Sequence, residues 1–80
     1  MTEQEIFDHV QEIFRTVFDD EDLVLTREMT SADIEDWDSL EQINLLVAIE
    51  KRFSIKFQLQ DVKDLPNVGA MLDLVKRMAA

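Results

Sequence analysis

The sequence has no cysteine and only one residue each of glycine, proline and histidine. The lack of cysteine excludes a disulfide framework, thiolate catalysis and any cysteine-based metal site. The lone histidine, His9, has no second imidazole to complete a metal site, so no metal is predicted. Because the turn residues of β-hairpins are missing, helices are expected to dominate. No apolar run approaches the roughly 20 residues of a membrane span, so no membrane insertion is expected.

Basic side chains are also scarce. The sequence has eight Lys and Arg residues and 18 Asp and Glu residues, which gives a formal net charge of −10. This balance excludes nucleic acid as the expected partner, because affinity for phosphates depends on Lys and Arg. The hydrophobic content of 46% is too high for a disordered chain. Residues 1–80 are therefore predicted to form a single acidic domain located in the cytoplasm.

The acidic residues are concentrated in the first part of the chain. Residues 1–50 contain 15 acids and two bases, whereas residues 51–80 contain three acids and six bases. An acidic surface on the first part predicts a basic protein partner, attracted electrostatically in a salt-sensitive way. The alternative is that the carboxylates only keep a small protein soluble.

The first predicted helix spans residues 3–18. Thr2 and Glu5 match a capping box, and the apolar residues then recur at helical spacing: Ile6, Val10, Ile13, Phe14 and Val17. Residues 19–38 show no sustained period and are predicted to form a long connection, pinned to the core by scattered apolar side chains.

A second helix is predicted to begin after Asp38, which has the chemistry of an N-cap, with Glu41 completing a box-like pattern. Its apolar sector covers more than half of the helix circumference, which is wider than packing on one side requires. Either two other elements bury this sector or one edge stays exposed for a partner. Leu40 and Val47 lie on that edge and are the candidates for exposure.

The last third of the chain predicts two further helices. Residues 54–57 alternate in polarity and are expected to form an extended link. Leu59, Val62 and Leu65 indicate a short third helix that ends before Pro66. Asn67 can cap a final helix whose buried stripe is Val68, Met71, Leu72, Val75 and Met78. The predicted fold is all-α, a small four-helix bundle of three longer helices and one short helix.

Ser39 is the main candidate for chemistry. It follows the capping Asp38 at the start of a predicted helix, where free backbone N–H groups and the helix dipole favour an anion such as a phosphate ester. Nothing nearby is expected to deprotonate its hydroxyl, since the lone histidine belongs to another helix. Ser39 is therefore predicted to be acted on by another enzyme, and no catalytic residue is predicted. The structural alternative is that Ser39 only belongs to a capped first turn.

Asp38-Ser39-Leu40 at the head of a helix, in an acidic helical domain of this size, resembles the acyl carrier proteins. The resemblance runs along the whole chain, through a first helix, a long loop, the tripeptide, an apolar run, Phe53 and two later helices. The apolar run is Ile43-Asn44-Leu45-Leu46-Val47-Ala48-Ile49-Glu50. With Trp37 before the tripeptide, the sequence looks most like the discrete carriers of polyketide or specialised-lipid pathways.

The resemblance implies a cofactor and partners. In the family the serine carries 4′-phosphopantetheine covalently, so Ser39 is implied as the attachment site, modified by a phosphopantetheinyl transferase. Asp38 matches the acid that helps to place the coenzyme A phosphates and Mg²⁺ in the transferase complex. Positions that match contacts with acyl-loading and acyl-processing enzymes follow on the same helix: Leu40, Glu41, Ile43, Val47 and Glu50. The two glutamates match acidic positions that meet basic patches on those enzymes.

The sequence departs from the family pattern in two respects. Asp36 stands where a glycine is usual, which bears on the geometry of the turn before Ser39. Lys51 and Arg52 are basic where the helix is usually acidic, which predicts a dedicated set of partners.

Two functions are predicted from these observations. The first is a monomeric, non-catalytic acyl carrier that holds thioesters on its cofactor for fatty-acid, polyketide or related biosynthesis. The second is an unmodified acidic helical adaptor that binds proteins through Leu40, Val47 and its carboxylates. Since the family implies an interior that accepts an acyl chain, Met71 and Met78 are candidate walls, although the favoured explanation is that both only fill the core.

Overall fold

A computed structural model describes residues 2–63 and 65–79, and every regular element in these ranges is a helix. This confirms the predicted all-α class, with three longer helices, one short helix and a long connection after the first. The elements are α1 (Glu3–Val17), α2 (Ser39–Phe53), α3 (Leu59–Val62) and α4 (Val68–Ala79). No helix in the described part of the chain is both long enough and apolar enough to cross a membrane.

A capping box begins helix α1, and a left-handed residue follows its end. The Thr2 hydroxyl accepts from the Glu5 N–H at 3.1 Å, and the Glu5 carboxylate accepts from the Thr2 N–H at 3.0 Å, so the predicted capping box is confirmed. The helix ends at Val17, one residue before the predicted end, because Asp19 adopts a left-handed conformation with a φ of 50°. Its buried face supplies Ile6, Val10, Ile13 and Phe14.

The core lies between α1, α2 and α4. Helix α2 contributes the fully buried Leu45 and Ile49. Helix α4 is capped as predicted, since the Asn67 side-chain oxygen accepts from the Ala70 N–H at 2.9 Å. It buries most of the expected stripe: Val68, Met71, Leu72 and Val75. Met78 is only half-buried, which corrects its assignment to that stripe, while Leu74 is buried instead.

Helix α3 is shorter than predicted. It ends at Val62, and Leu65 lies outside the helix; Asp64, which the prediction included, lies outside the described residues. Leu59 is 83% exposed, so it does not belong to a buried stripe. Pro66 disfavours helical backbone at the residue before it, which is consistent with the early end.

The link between α2 and α3 is not helical, as predicted, but it is not extended throughout, because Ser54 is left-handed. Ser54 ends α2 in a left-handed conformation with a φ of 55°. In the following residues the side chains alternate as expected, with Ile55 and Phe57 half-buried against the core and Lys56 exposed.

The connection between α1 and α2 is tied to the bundle, as predicted. Leu25 is buried, and its N–H donates to the Gln11 side-chain oxygen at 2.9 Å. At the start of α4, the N–H groups of Val68 and Gly69 donate to the Met29 and Arg27 carbonyls, both at 2.8 Å. These two bonds satisfy helix N-terminal donors that have no partner within α4. They also fasten the connection that leads to Ser39.

Ion pairs on the surface join α4 to the rest of the fold. Arg27 pairs with Asp73 at 2.8 Å, and Lys76 pairs with Glu3. Hydrogen bonding to the Lys76 ammonium lowers the pKa of Glu3, and hydrogen bonding to Asp73 raises the pKa of Arg27. Because all four side chains are well exposed, these pairs contribute little to stability.

Candidate functional site

Ser39 is the first residue of α2, and its side chain is exposed. Asp38 is the N-cap, as predicted, because its carboxylate accepts from the Glu41 N–H at 2.9 Å. A group attached to Ser39 would therefore stand at the positive end of a 15-residue helix, beside its first-turn N–H groups.

The prediction that Glu41 completes a capping box with Asp38 is wrong. The Asp38 N–H donates to the Asp36 carbonyl at 3.1 Å, and the Glu41 carboxylate accepts instead from the Asn44 side-chain amide at 2.7 Å. The cap thus consists of the Asp38 side chain alone.

Trp37 anchors the turn that presents Ser39. Its indole lies edge-on to Phe14, with ring centroids 5.3 Å apart, and is tilted against Phe18 at 6.2 Å. Its indole N–H donates to the Gln42 side-chain oxygen at 2.7 Å. The turn is thereby fixed to α1 on one side and to α2 on the other.

Asp36 is compatible with this turn although a glycine is usual there. Among the non-glycine residues that the structure describes, only Asp19 and Ser54 have a positive φ. Since glycine is needed where the backbone is left-handed, the backbone at Asp36 does not require it.

The surroundings of Ser39 do not equip it as a nucleophile. The lone histidine, His9, packs edge-on against Phe53 at the other end of α2, and its Nδ1 lies 2.9 Å from an Arg52 guanidinium nitrogen. A base that removes a proton must lie within hydrogen-bond reach, and His9 cannot serve Ser39. Within residues 2–63 and 65–79, no three His, Asp or Glu side chains converge to hold a metal.

The residues predicted to meet partners divide into two groups. Leu40, Ile43 and Val47 are 65%, 57% and 42% exposed, and their spacing of three and four places them on one face of α2. The predicted exposure of Leu40 and Val47 is confirmed. Glu41 and Glu50 are half-buried, and the Glu50 carboxylate accepts from the Phe57 N–H at 2.8 Å. Glu50 therefore holds the link after α2, and contact of any of these five residues with partners stays a prediction.

Sequence reasoning missed a groove beside Ser39. A space of about 560 Å³ opens between the start of α2 and the segment that joins α3 to α4, and its lining includes Ser39, Gln42, Lys63 and Asn67. Gln42 lies three residues after Ser39, on the same side of the helix, and this spacing was the available signal. The contribution of Lys63 and Asn67 depends on the packing of α3, which local patterns do not reveal.

A phosphate-bearing arm fits this site. Its point of attachment would be an exposed hydroxyl, its charge would meet helix N–H groups, and its length could follow the open groove. The chain has no cysteine, so a thiol for thioester chemistry must come from such an arm.

Comparisons with known proteins agree with this geometry. Residues 8–75 match the family described as the phosphopantetheine attachment site. A solution structure of a holo acyl carrier protein from Geobacter metallireducens is 46% identical in sequence, with a TM-score of 0.85, and the match covers 91% of this chain and 84% of that one. The prosthetic group of these carriers is 4′-phosphopantetheine, and their role is non-catalytic. The chain therefore belongs to the acyl carrier protein family.

Proposed function

We propose that Ser39 is the attachment site of 4′-phosphopantetheine and that the protein, as one domain over residues 1–80, carries acyl intermediates as thioesters on that arm. The observation that supports this most strongly is the exposed Ser39 hydroxyl in the first turn of α2, directly after the capping Asp38. In the modification, the Ser39 oxygen forms a bond to the β-phosphorus of coenzyme A. The bond to the leaving 3′,5′-adenosine diphosphate breaks, and the serine proton passes to a base of the transferase.

Asp38 has two roles in this proposal. Its capping bond holds the first turn of α2 so that Ser39 is presented outward. By resemblance to the family, it also helps to place the coenzyme A phosphates and Mg²⁺ in the complex with a phosphopantetheinyl transferase.

The proposed docking surface is the exposed row of Leu40, Ile43 and Val47, joined by the acidic Glu41 and Glu50. Partners would be acyl-loading and acyl-processing enzymes that place an apolar patch on the row and basic side chains around it. Charge around such a patch mainly increases the rate of association, so added salt should weaken the encounter.

Lys51 and Arg52 distinguish this surface from a uniformly acidic one. Arg52 is engaged within the fold, by His9 and by Glu12 at 3.4 Å. Lys51 is exposed and lies four residues after Val47, on the same face of α2. This one positive charge at the end of the row supports a dedicated partner set, as in polyketide or specialised-lipid pathways. Cytoplasmic localisation stays a prediction from composition.

Incubation with a phosphopantetheinyl transferase, Mg²⁺ and coenzyme A tests the proposal. The intact mass should rise by one phosphopantetheine, and Ser39→Ala should abolish the gain. Ser31→Ala is a matched control, because Ser31 is also exposed and lines the same groove. Its mass gain should be normal. An unchanged mass of the native protein, while a known carrier reacts, would favour the unmodified adaptor, whose exposed apolar row needs no cofactor.

A further inference from the structure

A second groove, of about 460 Å³, lies between the C-terminal parts of α1 and α2. Among the described residues it shares no lining with the groove beside Ser39. Each helix contributes three residues spaced by three and four along one face. They are Ile13, Thr16 and Val17 from α1, and Ala48, Lys51 and Arg52 from α2.

The floor of this α1–α2 groove is apolar. Ile13 is buried, and Val17 and Ala48 are half-buried against the core. The Thr16 hydroxyl donates to the Glu12 carbonyl at 3.0 Å, so its proton is already used within α1. The groove therefore offers aliphatic surface, and an apolar side chain placed in it would remove that surface from water.

The charged side chains that line the groove, Lys51 and Arg52, are both positive. Arg52 is engaged by His9 and by Glu12. Lys51 is exposed, and it forms no ion pair with any residue in the part of the chain that the structure describes. In a protein with a net charge of −10, the rim of this groove thus presents a cation that a carboxylate can pair with.

Lys51 connects the α1–α2 groove to the exposed row of α2. It lies four residues after Val47, the last member of the row, and three residues after Ala48 in the groove. Glu41, in the first turn of α2, lies ten residues before Lys51, which is about 15 Å along the helix axis. The surface along α2 is therefore negative at the Ser39 end and positive at the end next to the groove.

We infer that the α1–α2 groove, with Lys51 at its rim, is a second docking element that receives an apolar side chain flanked by a carboxylate on the enzyme that covers the row. This inference rests on the proposed carrier function for the identity of that enzyme. Such a partner is basic opposite Glu41 and acidic opposite Lys51. It can dock in one direction only, because the reverse direction would place like charges together. Lys51 thereby helps to bring Ser39 to the correct end of the partner.

Two synthetic peptides of equal length serve as probes of the groove. Both are acetylated, amidated amphipathic helices with leucine along one face, and they carry either glutamate or lysine beside the leucines. Each is titrated into isotope-labelled holo protein whose loading has been verified by mass. In NMR spectra the glutamate peptide should shift signals of Val17 and Ala48, whereas the lysine peptide should shift those of Leu40 and Ile43. The net charge of −10 alone would favour the lysine peptide at every site.

Charge substitutions then test the role of Lys51. Lys51→Gln should raise the Kd of the glutamate peptide about threefold, which is the size of one exposed ion pair, and Lys51→Glu about tenfold, because repulsion is added. Lys56→Glu is the matched control. Lys56 is also exposed and without an ion pair among the described residues, and it does not line the groove. It should change the Kd less than about twofold, and high salt should reduce the difference between the two lysines.

Two results would overturn the inference. One is a glutamate peptide that leaves the signals of Val17 and Ala48 unchanged, or a lysine peptide that shifts them equally. The other is an equal loss of affinity in Lys56→Glu, which would mean that overall charge and not the rim of the groove controls binding. Failure of loading at Ser39 would instead refute the proposed function. The mass measurement separates that outcome, and the titrations can then be repeated on the unmodified protein.

Discussion

Replacing Gly69 with alanine should destabilise the fold, although alanine favours helices. Gly69 is buried in the first turn of α4, and its N–H donates to the Arg27 carbonyl at 2.8 Å. An added Cβ would lie 3.1 Å from that carbonyl oxygen and 3.2 Å from the Arg27 Cβ. Both separations are shorter than the 3.4–4 Å of ordinary van der Waals contact for a Cβ atom.

The size of the effect follows from two opposing terms. Overpacking a fitted site costs about 1–3 kcal/mol, whereas alanine in place of glycine gains at most about 1 kcal/mol inside a helix. The Arg27 carbonyl cannot easily retreat, because the adjacent bond from Val68 to Met29 holds the same segment. We therefore expect a net loss of about 1–2 kcal/mol. In a domain of this size the melting temperature should fall by roughly 4–16 °C.

Thermal and urea unfolding followed by circular dichroism measure this change. The loss caused by Gly69→Ala should be nearly as large when it is measured in an Arg27→Ala background. Arg27→Ala removes only the guanidinium contact at 3.3 Å and leaves the carbonyl and the Cβ in place. Ala70→Gly, one residue later, controls for helix propensity and should cost about 0.5–1 kcal/mol. A Gly69→Ala protein that melts at or above the wild-type temperature would refute the reasoning, since the loop would then yield without cost.

Substitutions at four other positions test the cap, the anchor, the acid response and the proposed docking surface. Asp38→Ala should lower the free energy of unfolding by about 1 kcal/mol through loss of the N-cap, whereas Asp38→Asn should retain most of it in urea titrations. Trp37→Phe should cost at least as much, because the smaller phenyl ring keeps only part of the packing and the indole donor to Gln42 is lost; an unchanged urea midpoint would contradict that role. Hydrogen bonding from the Thr2 backbone N–H lowers the pKa of Glu5 below its ordinary 4.5. This group therefore contributes stability above about pH 4.5 that is lost as the pH falls through the folded-state pKa, so the urea midpoint of Glu5→Gln should fall less than that of the wild type over this range. Lys51→Glu should raise the kcat/KM of modification by a transferase adapted to acidic carriers a few-fold at low salt, and high salt should remove the gain.

The parts of the fold that could be predicted are those controlled by neighbours in sequence. The capping box of Thr2 and Glu5 and the Asn67 cap each involve residues three positions apart, so local spacing was sufficient. The long connection was predictable in part, because apolar residues such as Leu25 indicated that it is pinned to the core. The hydrogen bonds that hold it run from the first turn of α4 to carbonyls of the connection. They join residues some 40 positions apart, and no local sequence pattern indicates them.

Two predictions, the length of α3 and the burial of Met78, failed for a common physical reason. Leu59, Val62 and Leu65 have helical spacing and predicted one helix, but α3 ends at Val62, and Leu59 remains in solvent because so short a helix packs little of its surface on the bundle. Met78 falls on the periodic stripe of α4, yet it lies in the last turn, where the bundle no longer covers it fully. Periodicity identifies which side chains share a face, whereas their burial depends on how far the neighbouring element extends.

Helix α2 shows why the candidate site could be located before the structure was known. Its apolar sector is wider than its buried face, which retains only Leu45 and Ile49 as fully buried residues. The excess appears as Leu40, Ile43 and Val47 in solvent, an arrangement that gives the isolated protein no packing stability and favours association with another surface. Because this row begins immediately after Ser39, a partner that covers it must approach the serine hydroxyl as well. The same helix that completes the core therefore brings the proposed docking surface and the proposed attachment point together, so that one encounter would serve both recognition and transfer.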